Sequence, residues 1–286
     1  MDLDQLLPVL LSPLGLGVLG LCVGSFLNVV IHRLPLMLER QWRAEGAEIL
    51  NVPLPEQDTQ ALTLSKPDSR CPQCGHQIRW YENIPLLSWL ALRGKCSACK
   101  TPISVRYPLI ELATGALFAA CGWRFGPQLA TLLWCGFVAV LVAAAAIDWD
   151  TTLLPDSLTF PLLWAGLVAA NLGWNIPVQD AIWGAVAGYL SLWSVYWLFK
   201  LTTGKEGMGY GDFKLLAALG AWLGWSMILP IVLASSLIGA IVGIGLKLSS
   251  NLREGRYIPY GPFLAGAGLA VLFAGHDQVM SWLGWA

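Results

Sequence analysis

Residues 215–246 read LLAALGAWLGWSMILPIVLASSLIGAIVGIGL, with no Asp, Glu, Lys, Arg or His among them. A single helix of these 32 residues would be about 48 Å long at roughly 1.5 Å per residue. The hydrocarbon core of a bilayer is only about 30 Å thick. The run is too long for one crossing and fits two short ones, broken between Gly224 and Pro230. Six further apolar runs lie at 6–31, 107–124, 127–147, 157–173, 181–199 and 258–275. A span requires ~20 such residues. The expected fold is all-α and polytopic, with about eight transmembrane helices.

Composition agrees. The 286-residue chain is 56% hydrophobic and only 12% charged, where a soluble domain carries about 25% charged residues. The net charge of −1 hides an asymmetry in the 17 Lys and Arg residues. Such residues collect on the cytoplasmic side of a membrane. With 32–106 in the cytoplasm and eight spans alternating, ten of them fall between Arg33 and Arg106. Lys200, Lys205, Lys214, Lys247, Arg253 and Arg256 join that face, leaving Arg124 alone on the other. Both chain ends are then outside. The first run has an acidic front (Asp2, Asp4) and no basic n-region, so it reads as a retained helix and not a secretory signal.

Three regions follow. Residues 1–31 form the first transmembrane helix, 32–106 the one large polar segment, and 107–286 a membrane bundle with short loops. Within the polar segment, 39–70 contains Pro53, Pro55 and Pro67 and reads as an irregular excursion. Residues 71–106 read as a small ordered module. Small residues in the bundle, such as Ala143 to Ala146, Gly184 and Gly188, allow close helix approach where lipid supplies no hydrophobic drive.

The module carries Cys71-Pro-Gln-Cys74 and Cys96-Ser-Ala-Cys99, with 21 residues between the pairs. Paired CxxC motifs at about this spacing read as a zinc site. Four thiolates close a tetrahedral shell, which makes the site structural. The alternative is free or redox-active thiols, and a reducing cytoplasm disfavours disulfides. Gly75 and Gly94 flank the pairs as knuckle turns require, and His76 reads as a surface residue. Cys22, Cys121 and Cys135 lie in apolar runs and read as small packing residues.

Two carboxylates stand at apolar boundaries: Asp148 in IDWDTTLLPD at 147–156, and Asp212 in GMGYGD at 207–212. A carboxylate there is costly and marks a functional site by default. The topology puts both on the cytoplasmic side. If they meet, one proton is shared and the pair can work as general base and general acid on water and a scissile carbonyl. Asp150 reads as a solvated loop residue, Asp156 as a first-turn carboxylate, and Lys214 as an interfacial anchor. Glycines 207, 209 and 211 keep the backbone around Asp212 thin. HExxH, GxSxG and Walker A motifs are absent, which excludes a zincin, a serine-hydrolase elbow and a nucleotide-driven pump. The other readings are an ion-coupled transporter, whose aspartates relay protons, and a non-catalytic assembly factor.

Together these stretches resemble the type IV prepilin peptidase family over nearly the whole chain. GSFLNVVIHRLP at 24–35 is similar to the exit of the family's first helix, and YPLIELATG at 107–115 to the start of its second. The CxxC pairs, IDWDTTLLPD and GMGYGDFKL match its cytoplasmic module and its two aspartate motifs. The resemblance implies a GxGD aspartic endopeptidase with Asp148 and Asp212 catalytic and Cys71, Cys74, Cys96 and Cys99 holding zinc. It implies cleavage of the basic leader of prepilins and type II secretion pseudopilins, after Gly and before Phe. It further implies N-methylation of the new terminus with S-adenosylmethionine, in the bacterial inner membrane with the active site at the cytoplasmic face. Partners would be these substrates and membrane lipid, not nucleic acid. No Rossmann glycine pattern is visible for the methyl donor. Gly94, Lys95 and Glu111 are candidates for its site, and Glu111 reads alternatively as paired with Arg106. Asp150, Asp156 and Glu206 could attract a basic leader.

Overall fold

In hydrocarbon, every backbone N–H and C=O must be satisfied within its own segment, so the apolar runs have to be helical. The computed structural model describes residues 3–54, 62–248 and 258–285. Asp2, Pro55, Arg253 and Arg256, on which the sequence reading drew, lie outside the described residues, as does the side chain of Asp4. Among the described residues there is no strand, only two isolated bridges. The chain divides into two compact units, Met1–Ala139 and Val140–Ala286.

In the first unit, α1 (Leu3–Leu10) and α2 (Pro13–Leu50) replace the single helix expected over 1–31. Ser12 caps α2 by accepting the Gly15 N–H at 3.2 Å, and Pro13 stands where no backbone donor is needed. The helix then runs far beyond residue 31. Residues 36–45 are rich in Leu, Met, Glu, Arg, Gln and Ala, all strong helix formers. Gln41–Glu45 and Arg43–Glu39 contacts support the turns. Asn51, left-handed at φ 53°, closes the helix with its N–H on Ala47 and Glu48. The expected excursion is therefore helical as far as Leu50.

Helix α2 packs on α4 (Arg106–Phe125) through small residues. A Cβ on Gly24 would meet the Glu111 Cα at 2.7 Å, and one on Gly20 the Gly115 Cα at 2.8 Å. Between them in sequence lie a 3-10 turn (Trp80–Asn83) and α3 (Leu87–Ala91). Arg33 on α2 donates to the carbonyls of Thr63, Leu64 and Pro67, so the approach to the cysteine module hangs from the transmembrane helix. Helix α5 (Ala130–Thr151) begins in this unit and ends in the second.

The second unit contains α6 (Asp156–Asn171), α7 (Val178–Thr203), α8 (Tyr210–Leu223), α9 (Ile228–Leu248), α10 (Gly261–Ala274) and α11 (His276–Trp282). The expected break of the 215–246 run is a 3-10 turn at Trp225–Met227. Helix α8 is the core: residues 212–222 are buried except Lys214, with α6, α7 and α10 packed on it. A Cβ on Gly188 would meet the Leu216 carbonyl oxygen at 2.5 Å, and buried Trp222 donates to Leu162 O at 2.8 Å. Among the described residues, four helical stretches are long and apolar enough to cross a membrane: α2, α5, α7 and Trp225–Leu248. A fifth arises if α10 and α11, bent 105° to each other, are one broken span. That is fewer than the eight read from the sequence. Helices α4, α6 and α8, at 20, 16 and 14 residues, account for most of the difference.

Candidate active site and cysteine centre

Asp148 lies in the last turn of α5. Thr152, left-handed at φ 55°, ends that helix and returns its N–H to the Asp148 carbonyl at 2.8 Å. The Asp148 side chain is 4% exposed. Its Oδ2 accepts the Gly261 N–H at 2.9 Å. Gly261 opens α10, so Asp148 occupies the end of a helix where free N–H groups favour a carboxylate. There is no room to spare: a Cβ on Gly261 would lie 2.5 Å from that same oxygen. Tyr260, the residue before it, anchors the turn through its hydroxyl, 2.7 Å from Ser235 Oγ and 3.0 Å from Ser236 Oγ on α9.

Asp212 lies in the first turn of α8 and is 7% exposed. Gly211, next to it, and Gly261, whose N–H holds Asp148, both lie against Leu154, so two aspartates 64 positions apart in sequence share one neighbourhood. Buried Leu154, from the segment after Asp148, joins the motifs. A Cβ on Gly211 would meet the Leu154 Cβ at 2.7 Å, and one on Gly261 would meet its Cδ1 at 3.2 Å. The three glycines of GMGYGD thus differ. Gly211 is demanded by packing, and Gly207 lies against the Phe199 ring. Gly209 has nearly open space and an ordinary φ of −85°. On the far side of the motif, Tyr210 and Phe213 pack on Tyr196 of α7, with centroids 5.3 and 5.7 Å from its ring.

The neighbouring charges are placed differently from the expectation. Asp150 is on the final turn of α5, not in a loop, and is exposed. Asp156 opens α6 as expected, and both its oxygens accept from Lys214 Nζ at 2.7 and 2.8 Å. Lys214 therefore bridges α8 to α6. Glu206 is held by Lys200 at 2.8 Å. Asp156 and Glu206, both read as able to attract a basic leader, are thus already paired within the fold.

The cysteine centre belongs to the first unit. The sulfurs of Cys71, Cys74, Cys96 and Cys99 all lie within 4.8 Å of one another, with Cys71 and Cys99 3.7 Å apart. A tetrahedron with metal–sulfur bonds of roughly 2.3 Å has edges of about 3.8 Å, so the cluster can hold a metal ion. Each pair sits in a matching knuckle. Cys71 N donates to His76 O and Gly75 N to Cys71 O; Cys96 N donates to Thr101 O and Lys100 N to Cys96 O. The fifth residue of each knuckle is left-handed: Gly75 at φ 72° and Lys100 at φ 61°. Backbone N–H groups of Cys74 and Gln73 hold the Cys71 thiol below its usual range. The Thr101 hydroxyl, followed by its backbone N–H, holds the Cys99 thiol down at about 6. Both effects favour thiolate, the form a metal requires, while desolvation and the neighbouring cysteines push the Cys74 thiol up to about 11.

The candidates for the methyl-donor site separate. Gly94 is buried and left-handed at φ 66°, with the Trp89 ring 2.8 Å from where a Cβ would stand. Lys95 forms a bridge with Pro102. Glu111 is 8% exposed and accepts the Leu86 N–H at 2.8 Å. All three have structural roles in the polar module and its helix. Sequence reading does not single out Leu154, Tyr260 or Gly261. One signal was available: Tyr260-Gly261-Pro262 opens an apolar run, and a helix start with Pro leaves N–H groups that need an acceptor.

Comparison with known proteins follows the same division. The bacterial peptidase A24 N-terminal domain matches residues 18–125, and the type IV leader peptidase family matches residues 135–244. A Stutzerimonas stutzeri protein named prepilin leader peptidase/N-methyltransferase is 54% identical over 274 residues, 94% of this chain and 93% of that protein. Proteins of the same name from Pseudomonas aeruginosa and Burkholderia pseudomallei are 55% and 53% identical, covering 91% and 90% of this chain and 89% and 84% of their own. No solved structure matches.

Proposed function

The chain belongs to the type IV leader peptidase family, and on that premise we propose that Asp148 and Asp212 carry out its peptide cleavage. It is an enzyme of two activities, removal of prepilin leaders and N-methylation of the terminus so exposed. The observation that carries the dyad is the burial of both carboxylates around Leu154, which lies against Gly211 beside Asp212 and against Gly261, the partner of Asp148. Buried carboxylates so placed share a proton. The ionised one takes a proton from water, which attacks the scissile carbonyl. The protonated one hydrogen-bonds that carbonyl oxygen and then protonates the leaving amine.

Substrates are prepilins and type II secretion pseudopilins, cut after Gly and before Phe. A prepilin has a polar basic leader joined to an apolar helix, so its scissile bond lies at a membrane interface. The chain accordingly sits in the bacterial inner membrane with eight spans, and its aspartates face the cytoplasm. Zinc fits the four cysteines, which leave no open coordination position and therefore give it a structural role. S-adenosylmethionine supplies the methyl group as an electrophilic sulfonium. The regions 1–31, 32–106 and 107–286 serve as first span, polar module and protease bundle, with the first helix extended to Leu50.

Asp148→Asn and Asp212→Asn test the dyad. Each should abolish cleavage of a peptide with a basic leader and a Gly-Phe junction, read by mass spectrometry, with expression unchanged. Methylation of a synthetic mature N-terminus should persist. Cleavage surviving either change would remove that aspartate from the mechanism. A transporter would instead translocate ions without cutting the peptide.

A further inference from the structure

We propose that the cavity between the 3-10 turn Trp80–Asn83, α3 and the second cysteine knuckle is the binding site for the S-adenosyl methyl donor. The inference rests on the methyltransferase reading and goes beyond it by placing the donor. The cavity measures about 510 Å³ and includes His76, Arg79, Tyr81, Glu82, Ala91 and Ser97 among its lining residues. Pockets for small ligands run from roughly 300 to 1,000 Å³ and combine apolar walls with a few convergent polar groups.

The chemistry of the walls fits a zwitterionic nucleoside with a sulfonium. The Glu82 carboxyl is held down at about 2, chiefly by the Arg79 backbone N–H and then by Ser97 and His76. It is an ionised acceptor, suited to ribose hydroxyls or an α-ammonium group. The Arg79 guanidinium lies 5.9 Å from the centroid of the Tyr81 ring and hydrogen-bonds its hydroxyl. A guanidinium receives the donor's carboxylate in a fork. Ala91 and Leu92 give an apolar wall for the adenine.

A second, independent observation concerns the wall built by α3. Leu86, just before that helix, has φ 58° and ψ −48°, and the Leu87 N–H reaches back to the Pro85 carbonyl at 2.6 Å. This is a γ-turn of the rare positive-φ kind, strained for a residue with a branched side chain. The buried Glu111 carboxylate holds it by accepting the Leu86 N–H at 2.8 Å. A strained turn kept in place by a buried side chain of α4 points to a wall whose position matters.

The test uses the full-length protein in detergent with radiolabelled S-adenosylmethionine as the probe. After ultraviolet cross-linking and proteolysis, the label should map between residues 76 and 98. In equilibrium dialysis, Arg79→Ala and the cavity-filling Ala91→Trp should each weaken donor binding about tenfold or more, with the rate of prepilin cleavage unchanged. Label mapped elsewhere, or full donor affinity in both variants, would overturn the placement. Wild-type protein that binds no donor would overturn the methyltransferase reading as well, so the two failures are distinct.

Discussion

At the scale of single residues, the site depends on atoms that are missing. Gly261 lets the start of α10 approach Asp148 so closely that an added Cβ would fall 2.5 Å from Oδ2. Gly261→Ala should displace that carboxylate, and a misplacement of about 1 Å at a reacting group can cost roughly 10²-fold in rate. The expected outcome is a fall of that order in the kcat of prepilin cleavage with little change in KM, measured on purified variants. GMGYGD makes a sharper claim. Gly211→Ala drives a Cβ to 2.7 Å from that of Leu154, an overpacking that typically costs about 1–3 kcal/mol. Gly209→Ala meets open space at an ordinary backbone angle, where an Ala cap typically costs about 1 kcal/mol. Cleavage should therefore be lost in the first variant and largely kept in the second, and equal sensitivity would contradict the packing account. Adding Leu154→Ala to Gly211→Ala should restore part of the activity by reopening the space.

At the scale of elements, the 36 residues from 71 to 106 are too few to bury a stable core unaided. Two turns, a five-residue helix and paired knuckles cannot hold together on apolar contacts alone. A structural zinc contributes about 10–16 kcal/mol of apparent binding energy in small modules. Chelation, or Cys99→Ser, should expose 71–105 to limited proteolysis while the helical circular dichroism of the bundle persists. Retention of a protease-resistant module without metal would refute that dependence. This element was legible because CxxC spacing encodes a coordination shell locally. The break in 215–246 was legible for a similar reason, since its length alone exceeds one crossing. Other features depend on long-range contact and leave no local mark. The extension of α2 to Leu50 follows from ordinary helix formers whose polar character reads equally as a loop. The Asp156–Lys214 bridge spans 58 positions, and the Glu111–Leu86 contact spans 25. The convergence of Asp148 with Gly261 across 113 positions is beyond any periodicity.

At the scale of the whole molecule, length and apolarity of the described helices count four or five crossings, while the apolar runs of the sequence give eight. The two counts separate at the short helices. Helix α6 has 16 residues, about 24 Å at roughly 1.5 Å per residue, shorter than a hydrocarbon core of about 30 Å. A short span is accommodated by local thinning of the bilayer or by flanking residues that reach the interface, at fractions of a kcal/mol per Å. Lys214 over the Phe160 ring, 5.1 Å from its centroid, is such a flanking group beside α6. Short helices packed against their neighbours can therefore still cross. In the eight-span arrangement, the turn at Gly126 to Leu129 lies outside, beyond Arg124, and the segment Gly204 to Gly207 lies inside beside Lys200 and Lys205. Reporter fusions at these two places distinguish the alternatives. Alkaline phosphatase, active only outside the cytoplasm, should be active after Gly126 and inactive after Gly204, and a fusion at Trp174 should be active as well. Activity after Gly204 would put the Asp212 segment on the wrong side for a leader made in the cytoplasm. A silent fusion at Trp174 would show that α6 and α7 do not cross separately and would lower the span count.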